Sequence, residues 1–419
     1  MKRIVFTVAM LAIALAGFAQ KKNVSAAENA LYDPTESNLR DAQTKIEAAM
    51  KDPTTKDQAK TYFVAGQVFY KLYEKEEEKK MLQQPFNQKA KDEYLVKAID
   101  AFAKTAKLDE LPDEKGKVKP KYTKELKKNL GTYSKYLINE GYANYTANDF
   151  ARAIELWEKF METYSYPILI AAGTKKDTTY YEIKYFSMSA AMNAPELRGK
   201  AIQYMEELKD DNYGVTLSKN DKTGNTPESV FYQWLYDQYS AQKDTVKFVK
   251  LLQEGIKKYP SDMYLMGNLI NYYIQSEKTD EAVKYLDDAA KKDPKNPQYY
   301  AIKGDLLNRK KDFDGAIAEY NKAIGIDPSY SLAQAGLGLV YVTKAEGIFD
   351  EAGKIKDNKK YEAERQRARK EFEKALPYLE KARELNPKDV DNLKVLRAAY
   401  LRLDRGKDFD KIDAEIKKM

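Results

Sequence analysis

Apolar residues recur along most of this chain at spacings of three and four, which place side chains on one face of an α-helix. Residues 297–328 carry two such stripes, in which large and small residues alternate. The first stripe consists of Tyr300, Gly304 and Leu307, and the second of Ala316, Tyr320 and Ala323. Small residues let two backbones approach, and large residues fill the space around the contact. The pattern therefore predicts two closely packed helices.

The two-stripe pattern returns at a fixed interval. Pro260, Pro294 and Pro328 are 34 residues apart, and each follows a second stripe, where the chain must leave the helix. In residues 229–262, Tyr236 and Phe248 stand where small residues are expected, so we expect looser or shifted packing there. A repeat of this length indicates a stack of helical hairpins.

These residues and their spacing resemble the tetratricopeptide repeat (TPR), whose unit takes large, small, large, small, large, small and proline at positions 4, 8, 11, 20, 24, 27 and 32. The resemblance is strongest over residues 229–330 and extends with irregularities over most of 59–390. It implies an all-α fold, a right-handed TPR superhelix (α-solenoid) of about seven helical hairpins plus capping helices.

The repeat phase also predicts the organisation of the chain. Two charged, helix-forming insertions interrupt it at about 74–91 and 345–369, and we expect them to lengthen hairpins, either as solvated extensions or as docking arms. The predicted segments are a signal peptide (1–19), an N-terminal segment with one helix (20–58), irregular TPR-like repeats with insertions (59–228), three regular repeats (229–330), a repeat with a long insertion (331–390) and capping helices (391–419).

The first residues have the pattern of a secretory signal. Lys2 and Arg3 precede an apolar run, and Gly17 and Ala19 supply small residues for cleavage before Gln20. We therefore expect an exported protein, periplasmic or associated with the cell envelope, and no membrane span after cleavage. A retained anchor is the alternative. The chain contains no cysteine, which excludes lipid attachment through that residue.

Composition narrows the classes of function. The chain has no His and no Cys, which excludes His-dependent nucleophile systems and zinc sites built on those ligands. A net charge of +7, with Lys and Glu interspersed over 419 residues, does not indicate a nucleic-acid-binding protein. We expect no enzymatic activity, no catalytic residue, no metal and no cofactor.

Three further segments leave alternatives open. The basic segment from Lys115 to Lys128 is either a solvated linker or a docking site for an anionic surface. The stretch Asn220–Gly224 has some features of a calcium loop but lacks its alternating acidic residues, which favours a plain turn. The apolar connection Tyr166–Ala172 is either buried by a neighbouring helix or a contact patch.

The TPR resemblance implies a concave groove lined by the first helices of successive repeats. Positions 2, 5, 6, 9, 12 and 13 of each repeat point into such a groove. The polar residues at these positions form the predicted site: Gln233, Asp237, Tyr264, Asn268, Asn271, Gln275, Gln298, Asp305, Asn308 and Arg309. Amide side chains both donate and accept hydrogen bonds, which suits an extended peptide. The groove lacks the Lys and Arg set with which chaperone-binding TPRs hold a terminal carboxylate.

Two functions fit this prediction. The first is a non-enzymatic scaffold that binds protein or peptide segments in the groove. The alternative is a glycan-binding solenoid involved in envelope polysaccharide handling, suggested by the 33 tyrosines. Several tyrosines, including Tyr300 and Tyr320, occupy core positions of the repeat, which favours a packing role for this residue type. The sequence does not indicate an oligomeric state.

Overall fold

A computed structural model describes residues 21–113 and 115–419, and every regular element within them is a helix. The predicted all-α, helical-repeat fold is confirmed. The predicted signal peptide at 1–19 lies outside the described residues. The helices form two compact units, which divide between Gln242 and Lys243.

The first unit is built from helical hairpins and shorter connecting helices. Its helices are α1 (21–29), α2 (Glu36–Lys51), α3 (Ala59–Met81), α4 (Gln88–Asp109), α5 (Thr123–Thr146), α6 (Phe150–Thr163), α7 (Pro167–Ile170), α8 (Thr178–Met192), α9 (Arg198–Asp210), α10 (Tyr213–Asn220) and α11 (Val230–Ala241). Helices α3 and α4, α5 and α6, and α8 and α9 pack as sequential pairs.

The second unit is more regular. Its helices are α12 (Thr245–Lys258), α13 (Met263–Gln275), α14 (Thr279–Lys292), α15 (Pro297–Arg309), α16 (Phe313–Ile326), α17 (Ser331–Ala352), α18 (Asn358–Leu385), α19 (Val390–Arg402) and α20 (Gly406–Ile416). Pairs α13–α14, α15–α16, α17–α18 and α19–α20 are in contact, and each packs on the next.

One helix was missed in the N-terminal segment. The sequence predicted a single helix in 20–58, whereas residues 21–29 are also helical. Val24 and Ala27, three positions apart, are buried on one face of this helix. The described part of this helix, residues 21–29, is too short for its periodicity to stand out from the sequence.

Close backbone approach within hairpins follows the small residues. A Cβ built on Gly66 would lie 2.5 Å from the ring of Phe102, and one on Gly304 would lie 2.8 Å from the ring of Tyr320. Both glycines occupy position 8 of their repeats. The large side chain from the second helix therefore packs directly on the bare backbone of the first, as the alternation of sizes predicted.

Recurring turns connect the paired helices. Asn148, Glu277, Lys311 and Asp404 have left-handed backbone conformations with φ between 57° and 62°. After two of these turns, Asp149 and Asp312 cap the next helix by accepting a hydrogen bond from its backbone. This repeated turn reverses the chain within a few residues and places consecutive helices side by side.

The two insertions lengthen hairpins, as expected. Residues 74–91 extend α3 and α4, and this extension is partly internal because Glu76 and Lys91 are buried. Residues 345–369 extend α17 and α18, and here most residues from 353 to 367 are exposed. The apolar connection at Tyr166–Ala172 contains α7, which packs on α5 and buries Ile168 and Leu169.

Candidate functional site

The first helices of successive hairpins in the second unit line an open concavity of about 300 Å³, which we call the groove. Helices α13, α15, α17 and α19 contribute to it in sequence order. Its lining residues are Met263, Ala301, Ile302, Asp305, Tyr320, Tyr330, Leu332, Ala335, Gly336, Leu339, Asp389, Asp391, Asn392 and Val395. The groove is therefore mainly apolar, with three carboxylates among its lining residues.

The floor of the groove includes Tyr320, whose ring packs between two glycines. Tyr320 belongs to the second helix α16, yet its ring lies against Gly304 of α15 and Gly336 of α17. Any side chain at either glycine would overlap this ring. Burial raises the pKa of Tyr320 well above its ordinary value, so the phenol stays neutral. The floor is consequently an uncharged aromatic surface between two helices.

Apolar side chains stand exposed around this floor. Met263, Leu332 and Leu339 keep 40%, 49% and 37% of their surface accessible, although each lines the groove. Single exposed apolar residues are common on protein surfaces, but several that share one concavity form a surface suited to an apolar ligand group. Their covering by a partner would remove this surface from water.

The α19 end of the groove is polar. Asp389 caps α19 by accepting a hydrogen bond from the backbone N–H of Asn392 over 3.0 Å, and Asp391 forms an ion pair with Lys394. Asn392 is almost fully buried, and its Nδ2 donates to the carbonyl of Leu379. Within the described part of the chain, Asn392 Oδ1 is one of the buried atoms that have no hydrogen-bond partner.

The predicted site residues are distributed over three helices. Gln233 and Asp237 lie on α11 in the first unit, whereas the other eight lie on α13 and α15 in the second. Of the ten, Asp305 lines the groove, where its carboxylate pairs with Arg309 over 2.8 Å. Tyr264, Asn268, Asn271 and Gln275 follow one another along α13, and the side chain of Asn268 donates to the carbonyl of Tyr264 on its own helix.

Two of the predicted amides have unused acceptors. Gln298 Oε1 and Asn308 Oδ1 are buried atoms without a hydrogen-bond partner in the described residues. Both belong to α15, where Gln298 lies in the first turn and Asn308 in the last. Both oxygens are enclosed by the protein and neither residue lines the groove, so these acceptors do not face a ligand in the groove.

Most residues that line the groove are not among the predicted site residues, because the prediction selected polar side chains and ended at Arg309. Positions 2, 5, 6 and 9 of the repeat that starts at residue 331 are Leu332, Ala335, Gly336 and Leu339, and all four line the groove. The same position rule, applied to this repeat without regard to polarity, would have found them. The contribution of α19 depends on how that hairpin packs.

A second polar cluster lies in the first unit, where α3, α4 and α5 meet. Lys91 is fully buried and forms ion pairs with Glu77 and Glu140, and Tyr73 donates a hydrogen bond to Glu140 over 2.9 Å. Burial alone would lower the pKa of Lys91, but the two carboxylates outweigh this effect and raise it. Lys91 therefore remains charged inside the protein.

Asp92 extends this cluster toward α6. Its carboxylate accepts hydrogen bonds from Gln88 over 2.7 Å and from Asn144 over 2.8 Å, and it lies 3.6 Å from Arg152. Burial raises the pKa of Asp92 in spite of these partners. Because the charged groups engage one another across four helices, the cluster is suited to holding the lengthened hairpin in place.

The possible calcium loop at Asn220–Gly224 is a turn, and the described residues offer neither a metal cluster nor a membrane span. The side chain of Asp221 accepts from the backbone N–H groups of Thr223 and Thr226, each over 2.8 Å, so Asn220–Gly224 forms a plain turn. Across residues 21–113 and 115–419, no cluster of acidic side chains has the arrangement of a metal site. Over the same residues, no helix is both long and apolar enough to cross a membrane.

Comparison with known proteins supports the repeat assignment. A family model described as tetratricopeptide repeat matches residues 268–331, which include α15, α16 and their flanking turns. The TPR resemblance is thus confirmed for this segment. The chain is also similar to the TPR repeat-containing protein MJ1428 of Methanocaldococcus jannaschii, with 36% identity over 83 residues, which cover 18% of this chain and 14% of that protein.

Two further similarities are more distant in sequence. Stress-induced-phosphoprotein 1 of Caenorhabditis elegans is 24% identical over 204 residues, which cover 45% of this chain and 61% of that protein. The chain thus spans less than two thirds of either curated relative. A TPR repeats protein from Bacteroides fragilis, known from its crystal structure, is 18% identical with a TM-score of 0.32, covering 64% of this chain and 98% of that one.

Proposed function

We propose that this chain is a non-enzymatic scaffold whose groove in the second unit binds an extended segment of a partner protein. The observation that carries this proposal is an open, mainly apolar concavity lined by four successive first helices. A volume of about 300 Å³ lies at the lower end of the range for ligand sites, which suits a few side chains of a peptide.

The arrangement of the lining supports a peptide ligand. Its residues come from α13, α15, α17 and α19 in sequence order, and its carboxylates, Asp305, Asp389 and Asp391, accept hydrogen bonds. A peptide backbone offers one N–H donor at almost every residue, so an extended segment can meet acceptors at several points along its length.

The glycan-binding alternative has less support. Sugar platforms need aromatic faces exposed to solvent, whereas Tyr320 in the groove is buried and packs on two glycines. Tyr299, at the start of α15, is buried as well. Tyr320 and Tyr299 therefore serve as packing groups, and Tyr264, which is 40% exposed on α13, lies outside the groove's lining.

We also propose that the protein is exported to the periplasm or cell envelope. The support is the sequence pattern of residues 1–19, with two basic residues, an apolar run and small residues at the cleavage positions. Fractionation of the native cells with N-terminal sequencing of the mature chain tests this proposal. A cytosolic chain that retains Met1 would contradict it.

Site-specific photo-crosslinking tests the groove. A benzoylphenylalanine is placed at Leu339 in the groove, and in a control variant at Val246, which is 79% exposed on α12 and does not line the groove. We expect a discrete protein adduct from position 339 in the native cells and none from position 246. Adding Leu332→Asn should reduce the adduct at 339. Equal labelling from both positions, or none from 339, would refute binding in the groove.

A further inference from the structure

The α19 end of the groove carries two carboxylates beside the apolar Val395. Asp389 is the cap of α19, and Asp391 lies in its first turn. None of the residues that line the groove is a lysine or arginine. Ionised carboxylates and amide oxygens accept hydrogen bonds but donate none, so this end of the groove selects a donor.

Asn392 fixes the backbone that carries the two carboxylates. Only 4% of its surface is exposed, and its Nδ2 donates a hydrogen bond to the carbonyl of Leu379 on α18. Its backbone N–H donates to the carboxylate of Asp389 over 3.0 Å. Its Oδ1 is enclosed by the protein, so the acceptors open to a ligand at this end are the carboxylates.

The electrostatics favour a positively charged donor. The N-terminus of a helix carries roughly half a positive charge, which the two full negative charges of Asp389 and Asp391 outweigh. Asp391 pairs with Lys394, but both side chains are more than half exposed, so the pair is weak and Lys394 can yield its place to a ligand cation. A guanidinium group fits best, because it presents several donors in one plane.

We propose that the partner segment carries an arginine, or less favourably a lysine, beside an apolar residue. The cation binds Asp391 at the α19 end, with Asp389 adding negative potential, and the apolar side chain covers Leu332 and Leu339. This inference rests on the proposed function of the groove and specifies its ligand. It assigns to the groove the opposite charge preference from a site that holds a terminal carboxylate.

Binding of synthetic peptides tests the charge preference directly. The probes are two short, end-blocked peptides with the same leucine and serine positions, in which the residue after each leucine is arginine in one and glutamate in the other. We expect the full chain to bind the arginine peptide at least about tenfold more tightly, as measured by fluorescence anisotropy. A third peptide carries dimethylated arginines, which keep the positive charge but have fewer hydrogen-bond donors. Its affinity should be lower than that of the arginine peptide by a factor of about three or more.

Matched variants locate the effect. Asp391→Asn should weaken binding of the arginine peptide by roughly threefold to tenfold and leave the glutamate peptide unaffected. Asp314→Asn is the control, because Asp314 is also an exposed carboxylate in the first turn of a helix, pairs with a lysine and lies outside the groove. Asp314→Asn should leave the affinities for both peptides unchanged, apart from the small, salt-screened effect of removing a distant surface charge.

The outcomes separate this inference from the proposed function. Equal binding of both peptides that is lost in Leu339→Asn would overturn the charge preference while supporting the groove. An equal effect of Asp314→Asn and Asp391→Asn would overturn the assignment of the cation to α19. Binding of neither peptide would overturn the ligand chemistry, and crosslinking at position 339 would still decide whether the groove binds a partner.

Discussion

The close packing of Gly141 against Trp157 gives a sharp test of how the hairpins are held together. Gly141 lies on α5, and a Cβ placed there would overlap the indole ring of Trp157 on α6. Trp157 is fully buried, packs edge-on against Tyr142 and donates from Nε1 to the carbonyl of Ile138 over 3.2 Å. In Gly141→Ala the indole must therefore move.

The expected change in the free energy of unfolding combines one stabilising and two destabilising contributions. Alanine favours the helical state over glycine by about 1 kcal/mol. Overpacking of a dense core typically costs about 1–3 kcal/mol, and loss of the indole hydrogen bond costs roughly 1 kcal/mol more. We therefore expect Gly141→Ala to lower the free energy of unfolding by about 1–3 kcal/mol.

The same helix offers a matched control. Gly131 also lies on α5, but no atom outside its own helical backbone and chain neighbours lies within 4 Å of a Cβ built there. Gly131→Ala should thus raise the free energy of unfolding by about 0.5–1 kcal/mol. Urea unfolding followed by circular dichroism measures both variants. If Gly141→Ala is as stable as Gly131→Ala, the close approach of α5 and α6 does not carry the packing energy assigned to it.

Two further predictions concern buried ionisable groups. Lys91→Met leaves Glu140 buried without its cation and should lower the free energy of unfolding by about 3–5 kcal/mol. Lys119→Met, at a lysine that is 71% exposed, is the control and should change it by less than about 0.5 kcal/mol in the same urea assay. Similar effects of the two substitutions would show that the buried pair is not important for stability. Burial raises the pKa of Tyr133, Tyr213 and Tyr285 to about 12. Since the unfolded chain ionises these tyrosines from about pH 10 upward while the folded chain keeps them protonated, stability should fall as the pH rises from 10 to 12. A urea midpoint that stays constant or rises over this range would contradict the assigned burial.

The sequence predicted the architecture well because its signal is local. Large and small residues at fixed spacing, such as Gly304 and Tyr320, define both the helical faces and the depth of their contact. The lengthened hairpins were also predicted, since the two halves of the repeat resume in phase after each insertion. The burial of Lys91 was not, because a charged residue in a charged insertion gives no sign of the carboxylates that neutralise it.

Residue type and repeat position select different residues around the groove. The predicted site was chosen for its polar side chains and includes Asn271 and Arg309, which are exposed and lie outside the groove's lining, and their part in binding stays a prediction. The lining is largely apolar, and its polar end comes from α19, a helix the sequence assigned to a cap. Repeat position was the better guide, because geometry rather than polarity determines which side chains face the groove.

The sequence by itself determined that this protein is a set of helical hairpins, because helix periodicity, helix-ending prolines and matched residue sizes act over a few turns of chain. Only the tertiary structure decided what those hairpins present to a partner. The exposed surface of Leu339, the position of Tyr320 between two glycines and the hydrogen bond from Asn392 to Leu379 all depend on how successive helices pack. Such contacts join residues far apart in the chain, and short-range sequence patterns do not specify them.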